Sequence, residues 1–343
     1  MIIAVLALLW ATATEAGEFS PMAYYSLNPH DDIVIGGTAA LRGERTLAMA
    51  SLGYSWAQGE PRGRLRYIHD HGLGSRLGYG VQFFHEVQAR SDLVPLFQTG
   101  YYEGHTGVGL TGFWRMGKGK LGTLSLIQEK VWALEERGTL LPVGEDRIHA
   151  VRLGFQQDSR DDRMNPRSGG RVEASATQAI RVFGGTRSYF SSRLSWSRYE
   201  PLGPEGSLGW RLHGALTSGT LPVQRALWLA GEGVRGYDFL SDRGNVAGVA
   251  NLEMRWPLLR DGERSVGFLG AIRQLQVVTF ADVGALQTAE SGWVMRGGIG
   301  IGLRAPVVAL GRVPMVLRLD AAQGLTRDGK LNSYVLLTAP ELF

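Results

Sequence analysis

Apolar and polar residues alternate with a period of two over long stretches of this chain. Between 248 and 256, Gly248, Ala250, Leu252, Met254 and Trp256 share one face, and Val249, Asn251, Glu253 and Arg255 share the other. Between 293 and 304, Trp293, Met295, Ile299, Ile301 and Leu303 oppose Arg296, Gly298, Gly300, Gly302 and Arg304. Further on, Val313, Met315, Leu317 and Leu319 oppose Arg312, Arg318 and Asp320. Val172, Ala174 and Ala176 stand against Arg171, Glu173 and Ser175, and Leu208, Trp210 and Leu212 against Arg211 and His213. Side chains on a strand point alternately to its two faces, so these runs predict strands with one apolar and one polar side. The pattern predicts fifteen of them, at 33–41, 46–56, 62–69, 77–87, 104–115, 119–130, 147–157, 171–180, 187–198, 208–218, 247–257, 274–284, 292–304, 312–320 and 332–342.

Many of these runs reach nine to twelve residues. A soluble sandwich uses strands of about five or six, whereas about nine to eleven are needed for a tilted strand to cross a bilayer. Tyr54, Trp56, Trp196, Trp210, Trp256 and Trp293 lie near run ends, where a membrane interface favours aromatic rings. The expected fold class is therefore all-β, a transmembrane antiparallel β-barrel with lipid outside and a polar lumen. Single-chain bacterial barrels have an even number of strands, so one more is expected, near 94–102 or 131–140. Residues 33–343 are expected to form this single domain, with 17–32 as an N-terminal lead-in. Residues 1–16 carry an apolar core followed by small residues, as at the end of a secretory signal peptide, although the first Lys or Arg is Arg42. A buried strand, or a chain start inside a larger protein, is the competing reading of that segment.

Composition narrows the alternatives only in part. The chain holds 48 glycines, 20% charged residues and a mean hydropathy of −0.06, values that suit a membrane barrel and a soluble β-protein alike. No run of eighteen apolar residues is present, so no spanning helix is expected, and barrel strands escape that test. The absence of cysteine excludes a disulfide framework and thiolate metal sites. The net charge of +4 comes from 36 basic and 32 acidic residues without a sustained basic tract, so nucleic acid is not an expected partner.

The connections add one unusual feature. Gly-Glu-Arg, Gly-Lys-Gly and Pro-Leu-Gly-Pro-Glu-Gly stretches read as turns, as does the polar Asp161–Gly170 segment. The connection at about 219–246 is much longer, and structureless loops of that length are usually functional. Its midpoint lies about fourteen residues from either flank, or about 45 Å of extended chain. That exceeds the roughly 25 Å apolar band of a barrel, so the loop can fold deep into the lumen.

This loop contains Val234-Arg235-Gly236-Tyr237, preceded by Gly231 and Gly233. Asn251-x-Glu253-x-Arg255-x-Pro257 and Phe280-x-Asp282-x-Gly284 follow on strands. Asp158-Ser159-Arg160-Asp161-Asp162, with Asn165-Pro166 and Gly169-Gly170, forms a fourth motif. Together they resemble the C-terminal barrel of the bacterial surface antigen family, which includes BamA- and TamA-type outer-membrane assembly factors and two-partner secretion transporters. The match is strongest over 147–343, and Tyr24-Tyr25-Ser26-Leu27-Asn28 before Ile33-Val34-Ile35-Gly36-Gly37 resembles the family's entry into its first strand. The resemblance implies sixteen strands and an inward-folded sixth external loop whose motif arginine meets acidic residues of the inner wall. Val234, Arg235, Gly236 and Tyr237 are thus the expected loop lock, with Glu253, Phe280, Asp282 and Gly284 as its lumenal partners. Alternation independently turns Glu253 and Asp282 toward the polar face.

The resemblance further implies a bacterial outer-membrane location, insertion or translocation of polypeptides, and no cofactor or catalytic residue. Expected partners are outer-membrane lipids, unfolded client chains and periplasmic assembly factors. Family members usually carry periplasmic polypeptide-transport-associated domains ahead of the barrel, and only about 32 residues precede the first predicted strand here. A passive or structural barrel, or the barrel of a passenger-bearing protein such as a patatin-like secreted lipase, are the alternatives. In this family the seam between first and last strands is proposed to open; Gly36 and Gly37 on one side, with Pro340 and the terminal Phe343 on the other, are the candidate seam residues. His69, His71, His85 and Glu86 form a weak metal candidate, more simply read as polar residues at a barrel rim. No Gly-x-Ser-x-Gly elbow is present, and the Gly297–Gly302 repeat lacks the following helix that a nucleotide site requires.

Overall fold

The computed structural model describes residues 18–28, 32–55, 60–70, 76–90, 101–134, 144–222, 225–229, 233–238, 242–259, 264–265, 271–272, 274–288, 292–309 and 313–338. Among them are sixteen strands of eight residues or more. We number them β1 (Glu18–Asn28), β2 (Asp32–Arg42), β3 (Thr46–Ser55), β4 (Glu60–His69), β5 (Leu77–Arg90), β6 (Tyr101–Gly117), β7 (Lys120–Leu134) and β8 (Glu145–Asp158). The second half comprises β9 (Gly169–Ala179), β10 (Tyr189–Leu202), β11 (Gly206–Gly219), β12 (Val246–Leu259), β13 (Leu275–Thr288), β14 (Gly292–Ala309), β15 (Val313–Gly324) and β16 (Leu331–Thr338). Each pairs antiparallel with its neighbour in sequence, and Leu27 of β1 lies opposite Leu337 of β16, so the order of neighbours returns to its start. The result is a sixteen-stranded antiparallel barrel.

The strand missing from the alternation pattern is β1, in the segment expected to be a lead-in. Residues 101–102 and 131–134 instead extend β6 and β7, and 94–100 and 135–140 lie outside the described residues. This shifts the expected seam. Gly36 and Gly37 belong to β2, flanked by Tyr24 and Ala23 of β1 and by Gly53 and Leu52 of β3. They are one strand removed from the edge, because β1 rather than β2 meets β16. Pro340 and Phe343 lie outside the described residues, as does the 1–16 segment.

The two faces differ as the alternation requires. Leu52, Leu110, Leu126, Leu153, Leu194, Leu252, Met254, Met295 and Ile301 are exposed on the outer face. Their neighbours Glu129, Asp282, Arg304 and Asp320 are buried. Charged side chains enclosed by an apolar exterior are the inverse of a soluble core, and match a wall bathed in lipid.

Connections alternate between the two ends of the barrel. The short β8–β9 turn is organised by Asp161, whose Oδ1 accepts the amides of Asp162 (2.9 Å), Arg167 (3.0 Å) and Ser168 (3.2 Å). Asn165 in this turn donates to Gln274 (2.7 Å) and accepts from Gln276 of β13 (3.0 Å). The β11–β12 connection leaves from the other end and folds back onto the inner wall.

Candidate functional site: the loop held inside the barrel

Arg235 sits at the inner end of the β11–β12 loop, 8% exposed. Its Nε and Nη2 donate to the two oxygens of Asp282 at 2.7 and 2.9 Å, a fork-to-fork pair. Nη1 donates to Asp320 at 3.0 Å and to Glu253 at 3.3 Å. The guanidinium carbon lies 3.4 Å from the Phe280 ring centroid, so the cation is covered on one side by a π-face. The Arg235 amide also donates to Asp282 at 3.2 Å. One side chain thereby joins β12, β13 and β15.

The surrounding charges form a continuous set. Arg304 bonds Asp320 and reaches Glu253 at 3.3 Å. Arg255 pairs with Glu253 at 2.9 Å, and Arg318 with Asp320 at 3.3 Å. Four guanidinium groups thus share three carboxylates. Asn251 completes Asp282's shell, donating to it at 2.7 Å and to the Gly233 carbonyl at 2.9 Å. Buried charges are tolerable only when paired and hydrogen-bonded, and each acidic group here meets at least two donors.

The other motif residues shape the fit. Gly236 has φ of +96°, and a Cβ there would collide with the Gly324 amide; only glycine takes this conformation freely. Its amide donates to the Tyr334 hydroxyl at 2.9 Å, and its carbonyl accepts from Lys330 at 2.8 Å. The Tyr237 hydroxyl donates to the Gly297 carbonyl at 2.5 Å and accepts the amides of Leu325 and Thr326, each at 3.0 Å. Val234 is fully buried with Leu229, Val249 and Leu286. Gly284 leaves room for this cluster, since a Cβ would stand 2.5 Å from Leu229 and 2.8 Å from Val234. The β14 glycines act likewise: side chains at Gly298, Gly300 and Gly302 would strike Arg235, Phe280 and Asp320.

The structure therefore brings together all eight residues expected at the lock. It adds Asp320, Arg304 and Tyr334, which sequence reasoning did not select. Asp320 and Arg304 stood on the polar faces of their alternating runs, which was the available signal. Glu253 stands closest to Arg255 at 2.9 Å and at 3.3 Å from both Arg304 and Arg235, whereas Asp282 carries the principal contact with Arg235 at 2.7 Å.

The histidines do not converge. His69 lies opposite Tyr79 and His85 opposite Gly63 in the β4–β5 register, about 20 Å apart along the ladder. His85 bonds Thr106 at 2.7 Å, Glu86 pairs with Arg64 at 2.6 Å, and His71 lies outside the described residues. Among the described residues no group of three or more such side chains could hold a metal ion.

Comparison with solved structures gives the same architecture. The barrel of BamA from Haemophilus ducreyi, in a form lacking POTRA domains 1–3, is similar over 94% of this chain and 70% of that chain, with a TM-score of 0.71 and 11% identity. CdiB from Escherichia coli is similar over 94% of this chain and 63% of that one, with a TM-score of 0.63 and 12% identity. No relative is found among curated protein sequences. Residues 42–313 match the Omp85 superfamily domain, and with that match covering most of its length the chain belongs to the Omp85 superfamily.

Proposed function

We propose that this protein resides in the bacterial outer membrane and inserts or translocates polypeptides there, without covalent chemistry. The observation that carries the reading is the loop held in the lumen of an Omp85 barrel by Arg235. Its ties are charge-assisted hydrogen bonds to three separate strands. Such a plug keeps a wide lumen closed, yet its bonds can be exchanged for water or for a client backbone. The outer belt of leucine and isoleucine fits outer-membrane lipid, and client chains and periplasmic assembly factors are the proposed partners.

The seam supplies the proposed route. β1 and β16 share one residue pair among the described residues, whereas β1 and β2 share eleven. Few ladder bonds would need to break for a client strand to pair with an exposed edge. The experiment is insertion of an unfolded barrel client into liposomes holding the purified protein. Insertion should proceed with the wild type and stop when cysteines at Leu27 and Leu337 are oxidised. Conductance without client insertion would instead favour a passive pore.

A further inference from the structure

A second buried charge cluster lies on the wall opposite the Arg235 site. Glu103 and His105 of β6 and Glu129 of β7 are all buried. His105 bonds Glu129 at 2.6 Å through Nδ1 and Glu103 at 2.9 Å through Nε2. The fourth member comes from the β11–β12 loop: Arg225 Nη2 donates to Glu129 Oε2 at 2.5 Å. Nearby, Leu221 packs against Val131, Ile148, Ala150, Ala179 and Tyr189. The loop is thus held twice, at Arg225 on β7 and at Arg235 on β12, β13 and β15. β7 and β15 are eight strands apart in a ring of sixteen. The ten-residue step from 225 to 235 extends to at most about 35 Å, comparable with the roughly 30 Å width of such a ring.

The two attachments are unequal. The Arg235 end has three carboxylates, an aromatic face, the Gly236 fit and the Tyr237 bonds. The Arg225 end has one hydrogen-bonded carboxylate, Glu129, with Glu103 behind it and the Tyr189 hydroxyl beside it, and the Arg225 side chain is 28% exposed. We propose that Arg225 is a positioning residue that fastens the releasable end of the plug to Glu129. When this pair parts, the first limb of the loop swings away from β6–β9 while Arg235 keeps its far end seated. The lumen beside β6–β9 then widens, and an extended polypeptide passes there. The last step rests on the proposed polypeptide handling; the fastening itself does not.

The test is single-channel conductance of the purified full chain in planar bilayers. The variants are Arg225→Glu, Glu129→Arg, the double exchange and the milder Glu129→Gln, each first checked for heat-modifiable barrel migration. A charge-assisted bond of this kind is worth about a tenfold shift in an equilibrium. Each folded single variant should therefore spend about tenfold more time in wide-open states. The double exchange should return the closed population, which a merely structural role for either residue would not do. Single variants that gate like the wild type, or a double exchange that stays open, would overturn the proposal. Client insertion into liposomes is read separately: altered gating without insertion would leave the fastening intact and refute the polypeptide reading instead.

Discussion

Arg235 is irreplaceable for a geometric reason. A lysine ammonium is a single point of charge and cannot bond both oxygens of Asp282, reach Asp320 and lie flat on Phe280. Arg235→Ala leaves buried Asp282 short of donors, and should destabilise the barrel by about 3–5 kcal/mol, read from chemical unfolding in lipid or detergent. Arg235→Lys should recover only a minor part of that loss. Exchanging charges, Arg235→Asp with Asp282→Arg, should rescue incompletely, because Asp320 and Glu253 remain to repel the new aspartate. Gly284→Ala should cost about 1–3 kcal/mol by overpacking Leu229 and Val234, with the Arg235 ion pairs untouched. Much of this site was legible in the sequence: the family resemblance carried by the motifs implied Arg235 and its acidic partners, and alternation turned Asp282 and Glu253 inward. Asp320 and Tyr334 were not selected, because local periodicity says which way a side chain points but not how far down the lumen the loop tip descends.

At the level of elements, alternation located fifteen strands and failed on β1, whose reason is physical. Apolar residues fall on both parities of Glu18–Asn28, with Met22 and Tyr24 interleaving Ala23, Tyr25 and Leu27, so its period of two is weak. Its full ladder is with β2, and it meets β16 at the described Leu27–Leu337 pair. Strand ends were also read short, as at β14, where the structure continues from 304 to Ala309. The β8–β9 turn carries its own prediction. Burial alone would raise the Asp161 carboxyl, but the amides of Ser168, Arg167 and Asp162 hold it below the ordinary value of 3.8. A depressed carboxylate stabilises above its unfolded value, and that contribution is lost as pH falls through the lower folded value. Protection of the amides in 161–168, taken relative to the intrinsic exchange rate at each pH, should therefore hold between neutrality and pH 4 and fall below it. In Asp161→Asn, whose neutral carbonyl oxygen still accepts, that protection should be lower and its fall below pH 4 should disappear.

On the scale of the whole molecule, the barrel resembles other Omp85 proteins in architecture at 11–12% identity. That is possible because a barrel needs only alternation on its walls, while the lumen demands particular residues. The Arg235 cluster has one mechanical consequence. In a simple barrel, a tip pulling on the C-terminus extracts hairpins one after another, each yielding when its own ladder unzips. Here Arg235 rivets the β11–β12 loop to β12, β13 and β15, so those strands cannot leave independently. Single-molecule pulling from the C-terminus should show 246–324 coming out as one block with one large rupture force. In Arg235→Ala that block should split into smaller, weaker steps. The cluster is then a load-bearing joint as well as a plug, and the last third of the barrel answers to force as a unit.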